Sequence, residues 1–324
     1  MRYIVIGGLG FTGNYLVKKL VDEGQEVVVL DHSENPKASR NVKILTIDIT
    51  DEKMLREVPL FSDDIVIHLA ARQYHSRLPR FNRESYFNKV NYTGTKNILN
   101  WMKSHSCHSL IYFSSDMVYG FPKFLPVTTE HQKSPIGPYG KSKLKSEQLC
   151  AEFTKVGFRI TIFRPRMIIG PGRYGVLIKL FKLIKVGLPV PTIGSGYNHY
   201  QMVSVFDCVK AIECALEKNI PNATYNLGSA NPPIVNDLLM ALINQAKSRS
   251  VLLPLPARLV KGVLGIFDFI GIPLMYPEQY LIADIEYRVD ISNVMEDLNW
   301  QPEYSDIDMM SQSFEEFKQS SLPD

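Results

Sequence analysis

An α/β fold built on a doubly wound, mainly parallel sheet is the architecture this sequence predicts, and three observations carry it. A short apolar run, residues 3–6, leads into four glycines, Gly7, Gly8, Gly10 and Gly13, and then into a helix-like stretch, 14–22. Apolar runs and amphipathic stretches go on alternating, six strands in all up to Pro165, with connections too long for hairpins. After Pro165 the alternation weakens and prolines and glycines multiply. The expected division is a Rossmann-like, dinucleotide-binding domain over residues 1–165, joined by strands from about 200–228, and a smaller α+β, mainly substrate-binding domain over 166–324.

The first turn carries the chemistry. Its glycines fit both G-x-G-x-x-G (Gly8, Gly10, Gly13) and G-x-x-G-x-x-G (Gly7, Gly10, Gly13). In a strand–turn–helix such glycines let the backbone approach a pyrophosphate, while the helix's free N–H groups attract its charge. The second strand, 26–30, ends in Asp31, where a βαβ unit places the acid that bonds an adenosine ribose. An acid there repels a 2′-phosphate and favours NAD over NADP, a preference moderated by Lys37 and Arg40.

The later elements follow in order. Residues 42–47 read as a third strand ending at Asp48, 51–58 as a short helix, and 65–69 as a fourth strand that opens into Ala70-Ala71, small enough to leave room for a cofactor. His68, inside that strand, reads as a packed core histidine. A polar loop spans 73–82, and a long helix carrying Asn91 is expected over 83–103. The fifth strand, 110–113, delivers Ser114, Ser115 and Asp116 to the same sheet end; Pro138 then introduces Tyr139 and Lys143 on a helix reaching about residue 155, before a sixth strand at 159–163. Further on, a helix is expected at 176–186, a strand turning into a helix at 203–214, a strand at 224–227 and a helix at 235–246. The most apolar stretch, 251–275, is interrupted by Arg258, Lys261 and Asp268 and by prolines, so it falls short of a membrane span and reads as a buried or interface helix. The tail, 293–317, reads as a helix, a turn at Trp300-Gln301-Pro302 and a last helix.

Composition narrows the function. With 45% hydrophobic residues in 324, the chain can bury a large core. Its 36 basic and 33 acidic residues are interspersed, without the basic block that would mark a nucleic-acid surface. Four cysteines lack metal-ligand spacing, so no metal site is expected, and reduced thiols together with the brevity of the first apolar run lead to an expectation of a cytoplasmic protein.

Tyr139 and Lys143 stand one helical turn apart. A free phenol is a poor base at neutral pH, and a nearby ammonium stabilises its phenolate. Ser115 could hold a substrate oxygen while Tyr139 moves its proton and the adjacent carbon exchanges hydride with a nicotinamide ring. By itself the spacing is weak: with 16 tyrosines, a Tyr-x-x-x-basic match is expected roughly twice by chance, and Tyr15/Lys19 and Tyr92/Lys96 also match. Position singles out Tyr139, which follows the fifth strand and its Ser115.

Gly7/Gly10/Gly13, Asp31, His68-Leu69-Ala70-Ala71, Asn91, Ser114-Ser115, Tyr139/Lys143, Arg164-Pro165 and Tyr225-Asn226-Leu227-Gly228 together resemble the extended short-chain dehydrogenase/reductase family, of the NAD-dependent epimerase/dehydratase type. The resemblance implies bound NAD, Tyr139 as acid/base, Lys143 on the nicotinamide ribose, Ser115 polarising the substrate oxygen, and a homodimer. On that pattern the cofactor contacts also include Phe11, Thr12, His32, Asp48, Ile49, Leu69, Ala70, Ala71, Asn91, Ser114, Arg164 and Pro165.

Departures from the pattern narrow the reaction. Sugar 4,6-dehydratases resemble Ser/Thr-Asp-Glu where this chain has Ser115-Asp116-Met117; Asp116 could donate a proton, but a thioether cannot drive the elimination. Nucleotide-sugar epimerases usually carry an asparagine where Met167 stands, and often an arginine before the strand that here reads Gln201-Met202-Val203. Arg166, Arg173, Lys179 and Arg288 are the cations that could hold a sugar-linked diphosphate instead. The leading expectation is an NAD-dependent nucleotide-sugar epimerase, contact with a membrane being unlikely. The alternatives are an alcohol dehydrogenase/ketone reductase resembling the 3-beta-hydroxysteroid group, and a catalytically silent NAD sensor, against which the intact Ser115, Tyr139 and Lys143 argue.

Overall fold

Side-chain alternation along the first strand decides how the sheet is buried. In β1 (Arg2–Ile6), Tyr3 and Val5 pack on one face and Ile4 and Ile6 on the other, and all four are buried. A strand covered on both faces belongs inside a parallel sheet flanked by helices. The computed structural model describes residues 1–33, 42–74, 78–175 and 177–320. Lys37, Arg40 and Val176 lie outside these described residues.

The strands after β1 are β2 (Glu26–Asp31), β3 (Lys43–Thr46), β4 (Ile65–His68), β5 (Ser109–Phe113), β6 (Arg159–Pro165), β7 (Met167–Ile169), β8 (Val190–Ile193), β9 (Met202–Ser204), β10 (Ala223–Leu227) and β11 (Leu252–Leu255). Seven form the central sheet in the order β10-β6-β5-β4-β1-β2-β3, every pair parallel. This is a Rossmann-like sheet. Of the strands expected to return from about 200–228, β10 joins the sheet beside β6, whereas β9 pairs with β7 in a two-stranded sheet of its own.

The helices are α1 (Phe11–Asp22), α2 (Glu52–Arg56), α3 (Arg83–Asn88), α4 (Thr95–Ser104), α5 (Pro138–Thr154), α6 (Leu177–Val186), α7 (Val205–Glu217), α8 (Val235–Gln245), α9 (Ala257–Phe269), α10 (Pro277–Tyr280), α11 (Ser292–Leu298) and α12 (Asp306–Gln319). Leu16 and Leu20 of α1, Cys208 and Ile212 of α7 and Leu298 of α11 cover one face of the sheet. Ile98 and Met102 of α4 and Leu149 and Cys150 of α5 cover the other. A separate core joins α6, α8 and α12 through Phe181, Leu242 and Phe314. The long helix expected at 83–103 is interrupted: a π-helical turn, Lys89–Gly94, separates α3 from α4 and contains Asn91. Such widened turns recur at functional sites.

The 251–275 stretch differs most from expectation. It forms β11 and α9, and within α9 Leu264 alone is buried. The outward face is apolar, with Leu259 68% and Phe269 77% exposed.

Candidate active site

Strand order reverses between β1 and β4, and doubly wound sheets bind ligands in the crevice at that point. A cleft of roughly 1560 Å³ opens there. The Gly7–Gly13 turn and the ends of β2, β4 and β5 build one end, and α6, β8 and residues 272–283 build the other.

The first end is made of backbone. Gly7 adopts φ +82°, and a Cβ on it would lie 2.6 Å from the Ala70 nitrogen. A Cβ on Gly13 would lie 2.2 Å from the Gly7 oxygen, so nothing larger fits between helix and strand. Gly10 precedes α1 without offering a side-chain cap, and the helix's first turn, which includes Phe11 and Thr12, carries no acid. These donors suit an anion. Asp31 Oδ2 accepts the Leu9 amide at 3.0 Å, tying β2 to the turn, while Oδ1 accepts the Ser33 amide and hydroxyl. His32 stands beside that carboxylate, exposed, its Nδ1 3.1 Å from Asp31 Oδ1. Burial opposes ionisation of Asp48, yet the Thr50 amide and side chain hold its carboxyl below the usual range. Ile49, Leu69, Ala70, Ala71 and Pro165 line the same cleft. Ser114 is buried there with no partner for its hydroxyl among the described residues. A cradle that excludes every Cβ, an acid at the end of β2 and an unmatched hydroxyl fit a dinucleotide.

Tyr139, near the start of α5, meets Ser115 at the junction of the two ends. Burial pushes the Tyr139 phenol up, whereas the Arg173 guanidinium and a hydrogen bond from Ser115 pull it down. Phe87 and Tyr74 stack edge-on against its ring, with centroids 5.7 Å away in each case. Lys143, expected to act on the phenol, donates instead to the Phe113 carbonyl at 2.6 Å and the Tyr112 hydroxyl at 3.3 Å. Burial pushes its ammonium down to about 7, against an opposing pull from Glu147. The cation that bears on Tyr139 here is therefore Arg173.

Three expected contacts fall outside the cleft lining. Arg164 points away: its guanidinium donates to both Glu147 oxygens at 2.9 and 2.7 Å, to the Tyr119 hydroxyl and to the Thr129 carbonyl. A buried arginine with all three guanidinium nitrogens engaged holds α5 to the sheet. Asn91 is also structural: its side chain accepts from the Arg72 amide and donates to the Arg72 carbonyl and Ser142 hydroxyl, while its own carbonyl, in the π-helical turn, accepts from Thr95 and Ser146. Arg288 pairs with Glu286 on the surface. Inside the cleft, Asp116 and Arg166 are salt-bridged to each other, which binds the carboxylate once proposed as a proton donor. Arg166 also stacks over Tyr287 at 4.2 Å, and its Nη2 is buried without a partner among the described residues. His68 is the core histidine expected, its Nε2 3.0 Å from Thr95 Oγ1 and its pKa pushed down to about 3 by burial.

Sequence reading missed Glu278. From α10 its carboxylate accepts the Tyr139 amide at 3.0 Å and the Gly140 amide at 3.3 Å, so it caps the helix that carries Tyr139 from 139 residues away. A signal existed. Gly137 has no side chain to cap with and Pro138 no N–H to offer, which leaves the next two amides in need of a distant acceptor. Which residue supplies it cannot be read from spacing. A Cβ on Gly137 would lie 2.1 Å from Glu278 Oε1, so the glycine makes room for this cap.

Residues 3–228 match the model of the NAD dependent epimerase/dehydratase family. The chain is 31% identical over 313 residues to the uncharacterized protein y4nG of Sinorhizobium fredii, covering 96% of this chain and 77% of that one. It is 29% identical over 280 residues to UDP-glucose 4-epimerase 2 of Oryza sativa, covering 74% and 68%. Its fold is similar to that of the UDP-glucose 4-epimerase of Thermotoga maritima crystallised with UDP-glucose, at TM-score 0.79 and 24% identity over 98% of this chain and 99% of that one. No group of three or more His, Cys, Asp or Glu that could hold a metal occurs among the described residues. With a dinucleotide cradle and a family match over most of its length, the chain belongs to the NAD-dependent epimerase/dehydratase family of enzymes, and its cofactor is NAD.

Proposed function

We propose that the protein is a nucleotide-sugar epimerase whose acid/base is Tyr139. The observation that carries this reading is the convergence of Ser115, Tyr139 and Arg173 on the cleft between its cofactor end and its far end. Ser115 Oγ holds the sugar oxygen, and Tyr139, its ionisation eased by Arg173, accepts the hydroxyl proton as the ring carbon is oxidised. Bound NAD supplies the hydride acceptor and later the donor. After the keto-sugar rotates, hydride returns to the other face of the ring carbon and Tyr139 gives the proton back to its oxygen. Arg173 and Arg166, the latter already paired with Asp116, and Lys179 of α6 line the cleft and are the cations that could meet a diphosphate. Met117, also in the lining, has no proton to exchange, which speaks against dehydration.

A second reading has its own support. Ile178, Leu180, Ile193, Leu238 and Leu274 make the far end largely apolar, as an alcohol dehydrogenase for hydrophobic substrates would need. A thermal-shift screen with NAD separates the two, since a ligand bound to the native state raises the melting temperature. Stabilisation by one family of UDP-, GDP-, CDP- or dTDP-sugars supports the epimerase. Stabilisation restricted to apolar alcohols or ketones replaces it with the dehydrogenase.

A further inference from the structure

Helix α9 wears its amphipathicity inside out. Leu259, Val263, Ile266 and Ile270 follow one another at spacings of four, three and four residues, so they form a single stripe. That stripe faces outward, at 68, 50, 63 and 48% exposure. Two of the three charges of the same helix face the protein: Lys261 is paired with Asp284 and donates to the Leu281 carbonyl, and Asp268 accepts both arms of Arg83 at 2.9 and 2.7 Å. Phe269 and Phe81, 77 and 73% exposed, widen the stripe, with the Arg80 guanidinium 5.9 Å from one ring and 5.4 Å from the other. Exposed apolar side chains scattered singly need no explanation; a contiguous stripe whose charges are turned inward marks a surface that something covers.

Charge decides what covers it. Arg80, Arg258 and Lys179 border the stripe, and Lys179 donates to the Leu274 carbonyl beside it. The carboxylates between residues 257 and 285 are all engaged: Asp268 by Arg83, Asp284 by Lys261, and Glu278 by the start of α5. A second copy docking symmetrically would set these cations against themselves, with no unengaged carboxylate of residues 257–285 to meet them. An anionic lipid surface meets both requirements, since apolar side chains enter the acyl boundary while cations meet headgroups. At about 20 Å the 13-residue helix lies along such a surface; no helix among the described residues is long and apolar enough to cross one.

We propose that the outward face of α9, extended by Phe81, docks this protein on anionic membrane surfaces. Ile272 and Leu274 are exposed beside the stripe and also line the cleft, so docking sets the mouth of the active site at the lipid boundary. This departs from the expectation, drawn from sequence, that membrane contact is unlikely; the inward turn of Lys261 and Asp268 was not visible there.

Vesicle flotation of the full chain tests the proposal, using phosphatidylcholine vesicles with and without phosphatidylglycerol. The wild type should float with the anionic vesicles, less so as salt is raised. The double variant Ile266→Glu, Phe269→Glu should lose binding at least about tenfold, while its melting temperature and NAD binding, read separately, stay at wild-type values. The proposal is overturned if wild-type protein stays unbound at low salt, or if the folded double variant floats as well as the wild type. It is equally overturned if light scattering shows that the substitutions dissociate an oligomer of a protein that never binds vesicles, because the face would then join copies of this chain.

Discussion

The two ends of the cleft are built from different materials. At the cofactor end, positions are fixed by backbone: Gly7 and Gly13 stand so close to Ala70 and to each other that any side chain collides. At the far end, side chains from α6, β8, α8 and residues 272–283 meet, none excluded by geometry from being something else. The difference explains why one end declares its ligand and the other does not. A dinucleotide is recognised by a local run of chain, whereas the substrate is recognised by residues scattered over a hundred positions. Tyr139 sits where the two meet; its helix is braced by Asn91 at Ser142 and by Arg164 at Glu147, and its own amide is capped by Glu278.

The sharpest way to separate the ends is Tyr139→Phe. Turnover should fall by about 10²- to 10⁴-fold, while NAD binding, followed by equilibrium dialysis, is retained. Unchanged turnover would remove Tyr139 from the chemistry. Asp31→Ala acts at the cofactor end: removing a charged hydrogen-bond acceptor should weaken NAD about tenfold or more and narrow its advantage over NADP, which paired titrations of both nucleotides would reveal. A preference left intact means that Asp31 serves only to tie β2 to the turn.

Smaller effects probe the junction. Glu278→Gln keeps the size of the cap but removes its charge and one of its two acceptor oxygens from the start of α5, at a cost of about 1 kcal/mol. Calorimetry should register a melting temperature lower by a few degrees; no change would show that the carboxylate's charge contributes nothing to the helix. Arg173→Met is subtler. Because Arg173 pulls the buried phenol's ionisation down against burial, Asp116 and Glu278, its loss raises the pKa of Tyr139. The rise of kcat with pH should therefore move to higher pH, by about one unit. A profile that stays in place, or moves down, contradicts the assignment of Arg173.

Much of this was legible from the residues themselves, and the limits are physical. The alternation of strands and helices, the glycine turn, Asp31 and the meeting of Ser115 with Tyr139 follow from local patterns and from parallel strands ending on one side. Arg164 misled because its side chain leaves β6 toward α5, where Glu147 engages it. Asn91 misled because a π-helical turn redirected it to brace Arg72 and Ser142. Lys143 has the expected spacing but finds the Phe113 carbonyl first. The outward stripe of α9 escaped detection because apolar content cannot say which way a helix face looks, and Glu278 because long-range contacts leave no spacing to read.

The Glu278 cap has a consequence for the order in which the protein is made. Tyr139 and its helix leave the ribosome long before residue 278 is synthesised; at about 5–20 residues per second the 139-residue gap lasts roughly 7–28 s. Throughout that interval the glycine turn has been synthesised and the start of α5 lacks its acceptor. The anchoring of Tyr139 by this cap therefore waits until residue 278 has been made.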